Sequence, residues 1–413
     1  HLQGRNADAE SLCREALGSM QRVLGEDHRE TLTTMGNLAL ALQALGRLEE
    51  AEAVYRDSLA RHRRALGEEA PETVVAVSNL GNLLLARGRF VEAEPVLREA
   101  LEKSRRVLGE EHPDTVTAIN NLGYDLQYQG QLAAAEPLQR EALEKYRRAV
   151  GPDHPSTLAA QNNLALLLQD LGQYAEAERT LREALAARRR VLGDEHPDTT
   201  ATLGNLGRFL QAVDRLAEAE PVLRETLEKK RRVRGVDHPD TLTSINNYGA
   251  VLEAMGRLAE AETYYRDAME KCRRVLGGEH PNTFITTINT GGVLQARGRN
   301  SEAVKILDGV EPAARKAFTG ANARWVAKLL SRRGKARTAL GDLDAAEKDL
   351  LEAQPLLVST RGERHRETRE CVQALVDLYT AKRAMEPRGG WDRAVASWSA
   401  RLGPPAPPPA GIR

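Results

Sequence analysis

Asparagine recurs at a fixed interval along the chain, and its side-chain amide is suited to hydrogen bonding with a peptide backbone. The amide carries both a donor and an acceptor, so a row of amides can pair with successive peptide groups of an extended segment whatever its side chains are. Each of the seven asparagines that form this row follows the previous one by 42 residues: Asn37, Asn79, Asn121, Asn163, Asn205, Asn247 and Asn289. The alternative is that each amide bonds a neighbouring helix or caps a local kink.

A second polar row and a few larger side chains are expected on the same face. Glutamine recurs six residues after most members of the asparagine row, at Gln43, Gln127, Gln169, Gln211 and Gln295, with Leu85 and Glu253 as the exceptions. Tyr124 and Tyr128 are four residues apart, which places them together on one side of a helix, and we expect them beside Arg208 two repeats later. Aromatic and arginine side chains dominate binding hot spots, although the tyrosines are equally well explained as space-filling residues.

The same interval governs small residues, and these indicate how the chain must fold. Alanine or glycine recurs in two series, which are Ala51, Ala93, Ala135, Ala177, Ala219, Ala261 and Ala303, and Ala39, Gly81, Gly123, Ala165, Gly207, Gly249 and Gly291. Small residues at fixed places predict closely packed helices. A period between about 20 and 50 residues is typical of stacked units that cannot bury their apolar faces alone.

Each unit is predicted to contain two helices. In residues 155–192, Pro155 suits the first position of a helix A, and Gly172 supplies the break that ends it. Helix B follows and ends with three arginines before Gly193, where cations suit the negative end of the helix dipole. The composition agrees, since 4% of the residues are aromatic and 29% are charged, which is typical of helices and not of a β-sandwich.

The blocks NNLALLLQDLGQYAEAERTLREAL at 162–185 and LGDEHPDTT at 192–200 resemble the tetratricopeptide repeat, in the 42-residue form of the kinesin light chain type. The resemblance extends over residues 1–383. It implies an all-α fold, a right-handed superhelical solenoid of antiparallel helix pairs in which the A helices line a concave groove. It also implies that the row asparagines contact the backbone of a bound protein or peptide.

The repeats predict five segments. In chain order they are a truncated first repeat with helix B only at 1–28, seven regular repeats at 29–319, a degenerate eighth repeat and a final helix at 320–383, a capping helix at 384–403, and a Pro-rich disordered tail at 404–413. Within the first segment, residues 1–4 are expected to end one helix, and helix B is expected from Ala7 to Leu24. Trp391, Val395 and Trp398 share one face of the capping helix, which suits a cover over the open end of a stack.

The region from about 341 to 402 is similar to the C-terminal end of tetratricopeptide arrays attached to bacterial serine/threonine protein kinases. A kinase would then lie upstream of His1, and the chain would be a non-catalytic regulatory or spacer arm of a larger signalling protein. The uncapped helix at the N-terminal end also allows self-association, which would make the chain a structural element.

Two cations in the eighth repeat suggest a different contact. Lys328 and Arg332 are four residues apart and follow Asn289 of the previous repeat. The three match part of the carboxylate clamp by which some tetratricopeptide domains hold a peptide C-terminus, and two cations suit a carboxylate. The match is partial, because the preceding repeat has other residues where the clamp continues. The alternative is an ordinary ion pair between Lys328 and Glu370, worth about 0 to 1 kcal/mol.

Histidine and arginine also repeat, and they raise the possibilities of metal binding and nucleic-acid binding. One histidine in each unit is too far from the next to share an ion, so we expect cap and loop roles for His28, His112, His154, His196, His238 and His280. Arginine pairs begin at Arg63, Arg105, Arg147, Arg189, Arg231 and Arg273. Because Glu or Asp follows most of them within a turn or two, we expect local neutralisation.

Composition and motifs narrow the function class further. The chain has 59 basic and 59 acidic residues, so no overall field attracts nucleic acid or an anionic membrane. No run approaches 18 apolar residues, and three cysteines fit a reducing compartment. No phosphate loop, nucleophile elbow or HExxH motif is present. We therefore predict a cytoplasmic, non-enzymatic scaffold with a protein or peptide ligand, no nucleic acid, no membrane, no metal and no cofactor.

Overall fold

Pairs of A and B helices follow one another through the computed structural model, which describes residues 2–402 apart from the side chains of residues 2–6 and 321. The regular A helices are α2 (Arg29–Ala44), α4 (Pro71–Ala86), α6 (Pro113–Tyr128), α8 (Pro155–Asp170), α10 (Pro197–Ala212), α12 (Pro239–Ala254) and α14 (Pro281–Ala296). The B helices that follow them are α3 (Leu48–Leu66), α5 (Phe90–Val107), α7 (Leu132–Val150), α9 (Tyr174–Leu192), α11 (Leu216–Arg234), α13 (Leu258–Leu276) and α15 (Asn300–Ala317). The predicted all-α repeat solenoid is confirmed.

Five further helices and one short turn complete the described chain. They are α1 (Leu2–Val23), a 3-10 turn (Gly320–Ala323), α16 (Arg324–Leu340), α17 (Leu343–Arg361), α18 (Arg366–Met385) and α19 (Asp392–Leu402). Among residues 2–402, no helix combines the length and the apolar character that crossing a membrane requires. The predicted Pro-rich tail at 404–413 lies outside the described residues.

Histidine caps six of the seven regular A helices, with α4 as the exception, because its ring nitrogen accepts a hydrogen bond that the first turn of a helix cannot make internally. In α6, Nδ1 of His112 accepts from the backbone N–H of Asp114 at 3.2 Å. The same bond, at 3.1 to 3.3 Å, is made by His28, His154, His196, His238, His280 and His365. The predicted cap role is confirmed, and a proline at the first helical position accompanies most of these caps.

Small residues let each A helix approach the B helix of its own repeat. All seven members of the alanine series from Ala51 to Ala303 are completely buried. A Cβ atom added at Gly81 would lie 2.7 Å from Cδ2 of Leu97, and one added at Gly291 would lie 2.6 Å from the same atom of Leu307. A larger residue at these places would force the leucine side chains to move, so close packing of the two helices favours small residues.

The repeated arginines are neutralised by acids from both neighbouring repeats. The second arginine of a pair bonds the loop of the preceding repeat, as in Arg64 with Asp27 at 2.7 Å and Arg106 with Glu69 at 2.5 Å. The first arginine reaches the next B helix, as in Arg63 with Glu99 at 2.6 Å. The predicted neutralisation by a following acid is confirmed for the first arginine, since Arg63 also lies 3.3 Å from Glu68. The bonds to other repeats were not predicted, and they link successive repeats.

The chain divides into two compact units, with residues 1–180 in the first and 181–413 in the second, and the division falls inside α9. The first unit is built around a continuous core of buried residues from α2 to α8, which includes Leu42, Val77 and Leu122. In the second unit, Trp391, Val395 and Trp398 pack against a core that includes Leu330 and Leu375.

The start of the chain differs from the expectation. A single helix, α1, runs from Leu2 to Val23, so the predicted end of a preceding helix at residues 1–4 is wrong. A glycine inside a helix costs only about 1 kcal/mol relative to alanine, and Gly4 therefore does not stop a helix that neighbouring residues favour.

The histidine caps make the stability of the second unit depend on pH. Burial lowers the pKa of His280 and of His365 below the ordinary value of 6.5. Since the folded pKa is the lower one, the contribution of these caps is complete above about pH 6.5 and is lost as pH falls through the folded pKa. Replacing both residues by asparagine keeps a cap acceptor that takes up no proton. Lowering the pH from 7.5 to 5.5 should therefore reduce the thermal midpoint of the parent more than that of the double variant.

A constant difference in thermal midpoint across this pH range would contradict the cap mechanism. The matching alanine variants supply the control, because they lack the acceptor and should be less stable than the parent at pH 7.5 by about 1 kcal/mol for each cap.

Candidate functional site

In the first unit, side-chain amides of successive A helices form a chain of hydrogen bonds. Nδ2 of Asn121 on α6 donates to Oδ1 of Asn82 on α4 at 2.6 Å, and Oδ1 of Asn121 accepts from Asn120 at 3.3 Å. Nδ2 of Asn163 on α8 donates to Oδ1 of Asn120 at 3.4 Å. Two members of the predicted asparagine row are therefore half-buried and oriented by amides of the neighbouring helix.

The second unit contains the same kind of amide contact. Nδ2 of Asn289 on α14 donates to Oδ1 of Asn246 on α12 at 2.9 Å. Asn289 is buried, and Asn205 and Asn247 are half-buried. Oδ1 of Asn205 accepts from Arg208, one turn later on α10, at 2.8 Å. The amides thus bond to groups of the chain itself, as the structural alternative for the row requires.

The face of α4 and α6 contains a small recess that is open to solvent, with a volume of about 90 Å³. Its polar wall includes Asn79, Asn82 and Asn121, and its apolar wall includes Leu97 and Ala100 of α5. The asparagine row therefore lies beside a concave feature of the surface.

The two tyrosines join an aromatic cluster. The ring centroids of Tyr124 and Tyr128 are 4.6 Å apart, and Phe90, the first residue of α5, stacks on Tyr128 at 4.8 Å. Tyr128 is 45% exposed, while burial raises the pKa of Tyr124 above its ordinary value. The cluster therefore offers one accessible aromatic surface. Phe90 was not predicted from the sequence as a member of it.

The remaining predicted contact residues lie on the A helices as well. Gln127 donates to Oδ2 of Asp170 at the end of α8, at 2.7 Å. Gln169 on α8 and Gln211 on α10 are half-buried, and Arg208 is exposed. Arg208 belongs to the second unit and Tyr124 to the first, so their expected proximity stays a prediction.

In the second unit, Arg332 of α16 is held by three groups of earlier A helices. Its Nη1 donates to the backbone oxygen of Ile288 and to Oδ1 of Asn289, both at 2.9 Å. Its Nη2 donates to Oε1 of Glu253 on α12 at 3.1 Å. The hydroxyl of Tyr265 donates to the other oxygen of Glu253 at 2.7 Å. This clasp joins α12, α14 and α16 across 79 residues of sequence.

The side chain of Arg332 crosses α14 at Gly292, where the absence of a Cβ atom leaves room for it. A Cβ atom at this position would overlap the guanidinium group of Arg332. The corresponding residues of other repeats, such as Tyr124, Leu166 and Arg208, are larger. The clasp therefore depends on an exception to the repeat.

Lys328 bonds a different acid from the predicted one. Its Nζ lies 3.3 Å from Oε1 of Glu367, in the first turn of α18, whereas Glu370 pairs with Arg366 at 2.8 Å. The expected partner is wrong by one helical turn, because the angle at which α18 crosses α16 decides which turn lies opposite Lys328.

The cations of this cluster favour the ionised form of its two carboxyl groups, whereas burial lowers the pKa of Lys328 itself. Burial alone would raise the pKa of Glu367, but Lys328 and Arg361 overcome this effect and lower it to about 2. Burial likewise opposes ionisation of Glu253, and Arg332 and Lys328 lower its pKa below the ordinary value. The two cations of the suggested carboxylate clamp are therefore already bound to carboxylates of this chain.

Comparison with known families agrees with the helix pairs. The family profile of the tetratricopeptide repeat matches residues 1–64, 72–148, 114–190, 156–232, 198–270 and 240–315, and a second profile of this repeat matches 37–106. The chain belongs to the tetratricopeptide repeat family. No curated protein matches this tetratricopeptide repeat protein.

Several solved structures are similar to this tetratricopeptide repeat protein. A putative kinesin light chain of Podosopora anserina is 27% identical, with 50% of this chain and 97% of that chain covered and a TM-score of 0.43. BtubC (BKLC) of P. vanneervenii is 23% identical, with 57% and 94% covered and a TM-score of 0.46. A Rap protein complexed with Competence and Sporulation Factor is 15% identical, with 90% and 97% covered and a TM-score of 0.59. The last likeness shows a shared fold.

Sequence reasoning missed the second amide that orients the row in this tetratricopeptide repeat protein. Asn120 and Asn246 each accept from a row asparagine of the next repeat, and each directly precedes a row member in the sequence. The Asn-Asn pairs were therefore a readable signal.

Within residues 2–402, no three His, Cys, Asp or Glu side chains are grouped as metal ligands.

The Arg332 clasp predicts opposite effects of two glycine-to-alanine substitutions. Gly292→Ala should displace the guanidinium group and leave Glu253 without its cation, which lowers the free energy of unfolding of the second unit by about 1 to 3 kcal/mol. Gly309 lies in α15 with no atom within 4 Å of an added Cβ. Gly309→Ala should raise the stability by roughly 0.5 to 1 kcal/mol, since glycine disfavours a helix.

Urea unfolding followed by tryptophan fluorescence measures both effects, because all three tryptophans lie in the second unit. If Gly292→Ala were as stable as the parent, the Arg332 clasp would contribute nothing to the fold.

Proposed function

We propose that this tetratricopeptide repeat protein is an interaction scaffold whose A helices hold an extended segment of a partner protein by its peptide groups. Proteins of this family generally mediate protein–protein interactions without catalysis. The observation that carries the proposal is the row of amides on the A helices, most of them half-buried, in which hydrogen bonds link α4 to α6, α6 to α8 and α12 to α14.

The bonds between amides favour binding rather than prevent it. An amide has two N–H groups and two lone pairs on oxygen, and the bond from Asn121 to Asn82 uses one N–H of Asn121. Such a bond fixes the rotamer and leaves further donor and acceptor capacity on the same group. Since the rotamer is ordered before the partner arrives, less conformational entropy is lost on binding.

The proposal assigns separate roles to the predicted residues. Contacts to the partner backbone come from Asn79, Asn121, Asn163, Asn205 and Asn247, together with Gln127, Gln169 and Gln211. Asn289 is buried and bonded to Asn246 and Arg332, so it contacts a partner only if Arg332 moves away. Tyr124, Tyr128 and Arg208 contact partner side chains. Lys328 and Arg332 bind a partner carboxylate only if it displaces Glu367 and Glu253, which hold them in this structure. The attached kinase and the self-association remain predictions.

A triple substitution of Asn121, Asn163 and Asn205 by alanine tests the proposal. We expect the variant to lose partners that the parent chain captures from a lysate of the source cell. The variant should lose the partners while its thermal midpoint falls only modestly, because a net hydrogen bond contributes only about 0.5 to 1.5 kcal/mol to stability.

The matched control replaces three exposed glutamates of the B helices by alanine. Glu102, Glu144 and Glu228 occupy one position of the repeat and are all exposed. This variant should capture the same partners as the parent. Identical captures by all three proteins, with an earlier melt of the asparagine variant alone, would mean that the amides serve only to hold the helices together.

A further inference from the structure

The residue that precedes a row asparagine is an amide in three repeats only, and it is Gly36, Ser78, Gly204 or Ile288 in the other four. Asn120, Asn162 and Asn246 precede row members, whereas Ser78 precedes Asn79. Asn163 and Asn289 each donate to the asparagine 43 residues earlier. The residue 43 before Asn121 is Ser78, whose side chain carries no amide.

The shorter side chain changes the arrangement between α4 and α6. Asn121 turns to Asn82 instead, at 2.6 Å. The hydroxyl of Ser78 donates to the backbone oxygen of Val74 in its own helix, at 3.0 Å. The volume that an asparagine would fill at position 78 therefore belongs to the open recess.

The lining of this recess specifies the chemistry of an occupant. Val75, which is 41% exposed, supplies apolar surface, the buried residues Val74, Leu97, Ala100 and Ala118 form the floor, and no cation lines the recess. A volume of about 90 Å³ is roughly six times the ~15 Å³ that one water needs, so a side chain of about three or four carbon atoms fits. The amides of Asn82 and Asn121 stand at its side, where peptide groups on either side of an inserted residue would lie.

We infer that this recess is a pocket for one short aliphatic side chain, of the size of valine or isoleucine, in the partner segment held by the asparagine row. The inference rests on the proposed function and adds a determinant of sequence and register to it. The amides hold any backbone, whereas the recess accepts one class of side chain. Asp114, half exposed at the edge, repels an acidic residue from the position.

Substitutions at position 78 fill the recess in steps. Ser78→Ala leaves it open, Ser78→Thr adds one methyl group, and Ser78→Asn recreates the residue that the chain already has at positions 120, 162 and 246. That precedent makes Ser78→Asn compatible with the fold, and thermal melts check it. If Ser78→Asn melts early, the comparison of Ser78→Thr with Ser78→Ala decides the question alone.

The probe is a phage-displayed library of random octapeptides, selected on the full chain. We expect the parent and Ser78→Ala to select peptides with valine or isoleucine at one recurrent position. In a synthetic peptide of this sequence, glycine at that position should weaken binding about tenfold or more, since the burial of the side chain is lost. With Ser78→Asn the same change should weaken binding less than threefold, and with Ser78→Thr the effect should be intermediate.

The outcomes separate this inference from the function on which it rests. Suppose that the triple asparagine variant no longer binds the selected peptides, but that the change to glycine weakens binding equally in the parent and in Ser78→Asn. The asparagine row then binds the peptide, and the recess is not the pocket. A recurrent lysine or aspartate in place of the aliphatic residue would overturn it as well. If the parent selects no peptide, both the pocket and the proposed function fail.

Discussion

The close approach of each A helix to its B helix is the constraint on which the rest of the structure depends. Ala93 and its counterparts are fully buried, and Gly81 leaves space that the side chains of Leu97 and Val96 fill. A single helix pair cannot bury these surfaces, so each repeat needs its neighbours. Because small residues at the same positions let the helices pack closely in successive repeats, groups on the A helices recur at a regular spacing.

Electrostatics reinforces this stacking without giving the chain a net charge. Arg64 and Arg106 each bond an acid of the preceding repeat, and the histidines satisfy the backbone at the start of the A helices. Charges that serve these contacts are balanced locally. The polar groups that recur on the A helices are amides, whose hydrogen bonds do not depend on net charge, and charged residues such as Arg208 and Glu253 interrupt the series.

The places where the repeat is broken are as informative as the repeat itself. Gly292 lets Arg332 reach Glu253 and pair with it. Ser78 leaves a recess in the first unit, where an asparagine elsewhere joins two helices. Regular positions build the scaffold, and exceptions give individual repeats separate properties.

The sequence by itself determined the helix pairs, the proline and histidine that begin an A helix such as Pro113 with His112, and the faces that carry the small residues and the amides. These features follow from local preferences that repeat every 42 residues. Only the tertiary structure decided that Asn121 bonds Asn82, that Arg332 bonds Glu253, and that Lys328 bonds Glu367. Such contacts depend on the crossing angle and the relative rotation of the packed helices. A small change in either moves a contact by a whole helical turn, and no local sequence pattern encodes them.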